Sequence, residues 1–305
     1  MMKQINNRSE LVFIYDIKDA NPNGDPLDAN KPRIDEEIGI NIVTDVRLKR
    51  TIRDYFYEYK GFNGENSKDI FVREIKNEDG KIQDGKTRAK DFSEDPQKLL
   101  ETCIDVRLFG GVIPLTGDSI TYTGPVQFQM GRSFHGVEIK HIKGTGAFAA
   151  RSGKSNKTFR EEYILPYSLI GFYGIINENA AAKTGLTDDD IDLLIEGMWK
   201  GTKNLITRSK VGQTPRLLLK VNYCEPNYFI GEIKNYIKLQ SEKREEQLRD
   251  PKDFQLDLTD LLGILNKNKE KIESVEYLIN PRLQIIADGN KLDLSNINMF
   301  NQISL

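Results

Sequence analysis

Cysteine and histidine are scarce in this chain of 305 residues: Cys103 and Cys224, His135 and His141, and no others. A zinc site built from Cys and His ligands is thereby excluded, and a disulfide framework has no spaced set of pairs to build on. No motif supports redox or covalent cysteine chemistry, so both thiols read as small buried apolar residues. Long apolar runs are also missing. Nothing approaches the roughly 18 residues of a membrane span, and the opening MMKQINNRSE lacks the apolar stretch of a secretion signal. The expectation is a soluble cytoplasmic protein with no membrane partner. There is no solenoid period and no low-complexity tract, and the length suits one large domain with insertions.

Net charge is small too, at −2, which argues at first against a nucleic-acid partner. The average hides sorting along the chain. From Arg132 to Arg160 seven basic residues face one acid, Glu138, and from Lys200 to Lys220 there are six basic residues and no acid. Acids collect elsewhere, as in TDDDID over 187–192. Such separation lets a soluble chain present a basic groove.

What is present begins with a strand. LVFIYDI (11–17) is rich in branched and aromatic residues and ends in DANPNGDPLDAN (19–30). Asp19, Asn21, Asn23 and Gly24 stand where a calcium loop of the EF-hand type places its first ligands and its turn glycine. Position 12 of such a loop needs a bidentate carboxylate and holds Asn30, no helix enters, and Pro22 and Pro26 lie inside. The stretch is instead a rigid Asn/Pro/Gly turn after a buried strand.

Thr44 then caps a helix over NIVTDVRLKRTIRDYFYEY. Leu48, Ile52, Tyr55, Phe56 and Tyr59 share one arc of it, and Arg47, Lys49, Arg50 and Arg53 lie opposite. Residues 61–98 are polar and glycine-rich and read as a surface insertion. ITYTGPVQFQM (120–130) and YILPYSLIGFYGIIN (163–177) read as strands, and the basic insertion between them as a projecting hairpin. TDDDIDLLIEGMWKGTKNL carries Ile191, Leu194, Ile195, Met198 and Trp199 at helical spacing. PRLLLKVNY alternates Leu217, Leu219, Val221 and Tyr223 against Arg216 and Lys220, which predicts a half-buried strand with a basic outer face. In the remainder, NYIKLQSEKREEQLRD and LTDLLGILNKNKEKI read as helical and LQIIAD as a strand.

The fold class this order predicts is α+β, with a ferredoxin-like, RRM-like βαββαβ palm. Three basic elements recur: the outer face of the first helix, the projecting insertion, and the loop TRSKVGQTPR. Each alone can be a solvated face; together they can line one groove for a phosphate backbone. Arg208, Lys210 and Arg216 would bind phosphates, with Ser209, Gly212 and Gln213 allowing close approach. Phe148 or Phe159 could wedge against a base or anchor the hairpin. Asp16, Asp19, Asp25, Asp28, Asp35 and Asp45 are the acids a metal-dependent nuclease would need, yet turn bonding and helix charge account for them. His135 and His141 could act as general acid and base, but no third group orients them, and they read as exposed or loop residues.

The blocks NPNGDPLDANKPRID, GINIVTDVRLKRTIRDY, DVRLFGGV, TGPVQFQMGRS and TRSKVGQTPRLLLKV, in that order, resemble the backbone subunit of type I CRISPR Cascade complexes, the seventh Cas family of the RAMP superfamily. Subtype I-B is most similar and I-C next, and the likeness spans about residues 10 to 223. The resemblance implies a non-enzymatic, prokaryotic subunit that polymerises head to tail along the spacer part of a guide RNA, the crRNA, and presents it to target DNA in antiviral defence. An RNA-guided or guide-processing ribonuclease of the same superfamily is the alternative. The implied palm comprises 10–60, 99–136 and 163–223, with fingers at 61–98, a thumb hairpin at 137–162 and a part at 224–305 packed on the palm. Implied RNA-binding residues are Asn21, Asn23, Arg33, Arg47, Lys49, Arg50, Arg53, Arg132, Ser133, Lys143, Arg208, Ser209, Lys210, Gln213 and Arg216, with Phe148 and Phe159 as base wedges. The implied partners are crRNA, target DNA, other copies of the chain, the Cas subunit capping the crRNA 5′ end, the large subunit and the crRNA-processing endonuclease. No metal and no cofactor are implied.

Overall fold

Strand β1 (Ser9–Ala20) is buried along nearly its whole length, because an antiparallel neighbour lies on each side of it. Its branched and aromatic side chains alternate between two cores. Leu11, Phe13, Tyr15 and Ile17 point to one and Val12 and Ile14 to the other. The structure is a computed structural model describing residues 5–77, 79–149 and 157–305, with backbone alone over 145–149 and 157–159.

After β1 come β2 (Ile40–Val43) and helix α1 (Asp45–Lys60). Thr44 caps α1 by accepting from the Arg47 backbone N–H, and Gly61 ends it at a left-handed φ of 73°. Leu48, Ile52, Tyr55 and Phe56 are buried under it, whereas Tyr59, on the same arc but in the last turn, is exposed. Helix α2 (Asp188–Glu196) starts in a capping box between Thr187 and Asp190 and runs into a π-turn over Gly197–Gly201. A Cβ at Gly201 would stand 2.9 Å from that of Tyr55, so glycine is what lets this turn lie against α1.

The expected strand over 120–130 is divided. Residues Asp118–Thr123 pair with Gly110–Leu115 in a separate hairpin, while β3 (Val126–Phe128) and β4 (Gly131–Gly136) join the main sheet. The reason lies at the corner Gly124–Pro125, where Gly124 meets the Phe109 backbone too closely for any side chain. Strand β5 (Lys140–Ala149) then pairs with β6 (Lys157–Ile176), a 20-residue strand that forms one arm of a hairpin and continues into the sheet beside β1. Strand β7 (Thr214–Tyr223) flanks β1 on the other side. The sheet therefore runs β7-β1-β6-β4-β2, and both helices pack on one face.

The opposite face is covered by the C-terminal part. Ile233, Ile237, Leu248, Phe254, Leu256, Leu258, Leu261 and Leu265 pack on Val12, Ile14, Leu169, Leu217, Leu219 and Tyr223, each such burial contributing about 1.5–3 kcal/mol. Two strands that sequence reading missed, β8 (Ile272–Ile279) and β9 (Phe300–Gln302), extend the sheet beyond β7. Strand β7 is in consequence buried on both faces rather than half-buried: Arg216 is inside and Lys220 pairs with Glu276.

Three further expectations are corrected. The helix read over 235–250 is replaced by 3-10 turns at Ile233–Tyr236 and Glu245–Gln247 and a short strand at Lys238–Gln240, since its few apolar residues make no helical stripe. The helix after it, Thr259–Lys267, and a strand at Ile285–Ala287 stand as read. Cys224 is exposed, while Cys103 is buried in a small third core with Phe71, Phe92, Leu99 and Val106. That core packs the 61–98 insertion onto the segment from Leu99 to Ile113, and beside it Arg88 donates to Asp69 and to the carbonyls of Ile70 and Phe71.

Candidate nucleic-acid interface

The turn after β1 folds on its own polar groups. Asn21 donates from Nδ2 to the Asn30 carbonyl at 2.7 Å, and Asp25 accepts from the Leu27 N–H and from Arg33 Nη1 at 2.5 Å. Asn23 Oδ1 accepts from both the N–H and the hydroxyl of Thr44, which ties the turn to the cap of α1. Ala29 and Asn30 adopt left-handed φ values, and the Asn30 side chain lies where a Cβ on Gly24 would be. Of the side-chain oxygens that suggested a calcium loop, that of Asn23 is thus committed to the helix cap. Among the described residues no three His, Cys, Asp or Glu side chains converge as a metal site.

A second segment closes on this turn. The Asn21 N–H donates to the Ser209 carbonyl at 2.9 Å, and this places Lys210 beside the first turn of α1. Burial pushes the Lys210 ammonium below its usual range, and the charge of Arg47 pushes it in the same direction. Arg47 is itself half-buried and lowered by burial. It donates through Nη2 to Thr51 Oγ1, and neither it nor Lys210 pairs with a carboxylate among the described residues. Four buried side-chain polar atoms among the described residues lack a hydrogen-bond partner, and three are here: Asn21 Oδ1, Arg33 Nε and Arg47 Nε. Buried polar groups are ordinarily satisfied, so such clustering marks a place that a charged, hydrogen-bonding ligand would complete.

Beside it opens a cleft of about 640 Å³ whose lining mixes the acids Asp25, Asp28 and Glu36 with Lys31 and Arg33, and includes Met130, His141 and Tyr163. His141 stacks on Tyr163 at 4.6 Å, with Lys31 over the same ring. Lys31, Met130 and Tyr163 were missed in the sequence. They come from three separate segments, and no spacing links them.

The other residues singled out are distributed as follows. Lys49 pairs with Asp45 and donates to Gln127, and Arg50 pairs with Asp54 on the helix surface. Arg53 lies over Phe109 and pairs at 2.8 Å with the fully buried Asp105, which also accepts from the N–H groups of Phe71 and Val72. Arg216 is buried against Asp16, which Tyr167 also bonds. Burial pushes the Asp16 carboxyl up, and Arg216 offsets part of that. Ser133 is buried between the His135 carbonyl and the Asn41 N–H, and Gln213 is buried as well. Arg132 is exposed and pairs with Asp35; Lys143 is exposed 3.7 Å from Glu161. Arg208 reaches Glu162 at 2.6 Å. The side chains of Phe148 and Phe159, like residues 150–156 with Arg151 and Lys154, lie outside the described residues.

His135 corrects the reading of both histidines as exposed or loop residues. It is buried in β4, with Nδ1 donating to the Gly136 carbonyl and Nε2 accepting from the Leu169 N–H, an arrangement for the neutral ring. Burial holds its pKa below the usual imidazole value, partly offset by the Gly136 carbonyl and Glu245. The folded chain therefore binds fewer protons here than the unfolded one, and stability is lost as pH falls through the ordinary imidazole range. Melting temperature is expected to drop between about pH 7 and about pH 5, and to drop less in His135→Gln. Equal slopes for the two chains would assign the effect to another group.

The whole is a mixed α/β protein in which a polar turn, flanked by Arg33, Arg47 and Lys210, and a cleft of mixed charge lie beside a two-stranded hairpin. A family model described as "CRISPR-associated protein Cas7" matches residues 7–259. A Haloferax volcanii protein described in the same words is 32% identical over 310 residues, covering 92% of this chain and 88% of its own. The chain belongs to the Cas7 family of CRISPR-associated proteins. Its fold is similar to a chain of a solved "CRISPR RNA-guided surveillance complex, pre-nicking", with TM-score 0.58 and 11% identity, covering 98% of this chain and 96% of that one. A chain of a second "CRISPR RNA-guided surveillance complex" gives 0.52 and 13%, covering 98% and 95%.

Proposed function

We propose that the chain is a non-enzymatic, guide-RNA-binding backbone subunit of a type I CRISPR surveillance complex, polymerising head to tail along the spacer part of crRNA and presenting it to target DNA. In this reading β7-β1-β6-β4 with α1 and α2 is a ferredoxin-like palm, 61–98 the fingers and the β5/β6 hairpin the thumb. The observation that carries it is the cluster of unpartnered Asn21, Arg33 and Arg47 atoms beside Lys210, two of those residues being half-buried cations without a carboxylate. A phosphate chain supplies the missing anion, and the ribose hydroxyls supply donors for Asn21.

RRM modules stack bases on the sheet face away from their helices. Here the C-terminal part covers that face, so the RNA path is directed to the turn at the end of β1. Asn21, Asn23, Arg33, Arg47, Ser209 and Lys210 form its centre, and Arg132, Lys143 and Arg208 its rim. Lys49, Arg53, Ser133, Gln213 and Arg216 act as frame, holding the elements that carry it. The partners of this reading are crRNA, target DNA, further copies of the chain and the other Cascade subunits.

The test uses the purified chain and single-stranded RNAs of graded length. Nuclease protection should grow in regular increments, with more copies bound on longer strands, and a matched RNA target with magnesium should stay intact. One copy per strand at every length, or no binding at low salt, would overturn the backbone reading; cutting at regular intervals would transfer it to the ribonuclease.

A further inference from the structure

Resting on that reading, we propose that Glu162 is an internal competitor for the RNA: a carboxylate that holds the place of a phosphate between the thumb and the 205–213 loop and is displaced when RNA binds. Glu162 Oε2 accepts from Arg160 Nη2 at 2.7 Å, on its own strand, and from Arg208 Nη2 at 2.6 Å, across 46 residues. One carboxylate oxygen thereby bridges two guanidiniums on different elements, both exposed, and its single charge offsets one of their two.

The position gives this bridge its meaning. Arg208 lies two residues before Lys210 in a loop whose backbone is pinned to the turn by the Asn21-to-Ser209 bond. That loop turns Lys210 inward beside Arg47, where no acid meets it, and Arg208 outward to the hairpin, where one does. A phosphate chain continuing from the Arg47 and Lys210 centre toward the hairpin meets Arg208 already occupied. It must exchange one anion for another. The exchange lowers affinity for stray RNA and joins the hairpin to the loop until a strand able to make the remaining contacts arrives.

Replacing Glu162 by Gln keeps the shape and removes the charge. The expected result, by fluorescence anisotropy on a single-stranded RNA at fixed salt, is binding three- to tenfold tighter than wild type. The salt dependence should steepen by about 0.7 in slope for each phosphate that the released guanidiniums take up. Adding Arg208→Ala to Glu162→Gln should remove at least half of the gain, and thermal melts of each variant should match wild type within a few degrees. Binding within twofold of wild type, or weaker, overturns the competitor while leaving the RNA reading in place. A gain of the same size without Arg208 also overturns it, because the effect would then be one of general charge. Failure of both wild type and Glu162→Gln to bind RNA overturns the two proposals together.

Discussion

A chain carrying Arg47→Met with Lys210→Met is expected to melt at or above the wild-type temperature and to bind single-stranded RNA about 100-fold more weakly. The two effects have one cause. Both cations are desolvated, the charge of Arg47 adds to the cost of that of Lys210, and neither is paired with a carboxylate among the described residues, the more distant Asp54 offsetting only part of the burial of Arg47. Methionine keeps the apolar stem that packs and removes the charge, so the folded state loses a repulsion and two hydrogen bonds, from Arg47 to Thr51 and from Lys210 to Ser209. Bound RNA loses two charge-assisted contacts of about 1.5 kcal/mol each, and the salt slope should fall by about 1.4. Calorimetry and anisotropy on the same preparations decide it. A variant that is less stable yet binds RNA as before would make these residues structural and would remove the central anion site.

The second large effect concerns Glu10, on which no RNA contact is proposed. Its carboxylate is fully buried and accepts from the hydroxyls of Tyr173 and Tyr223 and the N–H groups of Ile230 and Gly231, with no cation paired to it among the described residues. Burial and the carboxylate push both phenols far up, so they stay protonated donors at neutral pH. Glu10 is thus the clasp by which β1 holds the C-terminal part on the sheet. Glu10→Ala leaves three donors, the two phenols and the Gly231 N–H, buried without an acceptor, while the Ile230 N–H keeps the Tyr223 hydroxyl oxygen; at about 1–3 kcal/mol each before relaxation, the change is expected to cost roughly 3–5 kcal/mol. In a thermal melt of a chain this long that is a fall of about 5–8 °C. A loss under about 1 kcal/mol would mean that water or a rearranged loop takes the place of the carboxylate.

How much of this was legible in the sequence depends on whether the cause was local. Strand β1, the Thr44 cap, the buried arc of α1 and the acidic start of α2 follow from side-chain period and capping chemistry over a few residues, and they were read correctly. The division of 120–130 was not, because alternation is the same in a separate hairpin as in a central strand and only pairing distinguishes them. The C-terminal part was least legible. Its short strands and 3-10 turns owe their shape to the apolar face they cover, and nothing within them announces that face.

The site divides in the same way. The sequence by itself determined that this chain carries a rigid Asn/Pro/Gly turn after a buried strand, a capped basic helix and two basic segments, and the order of its blocks was enough to resemble one family. It could say that Arg47, Arg53, Lys210 and Arg216 are cations; it could not say which were free. Only the tertiary structure decided that Arg53 and Arg216 neutralise the buried Asp105 and Asp16, that Arg208 is held by Glu162, and that Arg47 and Lys210 are left beside each other without an acid. The physical reason is that a charge is counted along the chain but compensated through space, by partners 46 to 200 residues away whose distance is set by packing alone.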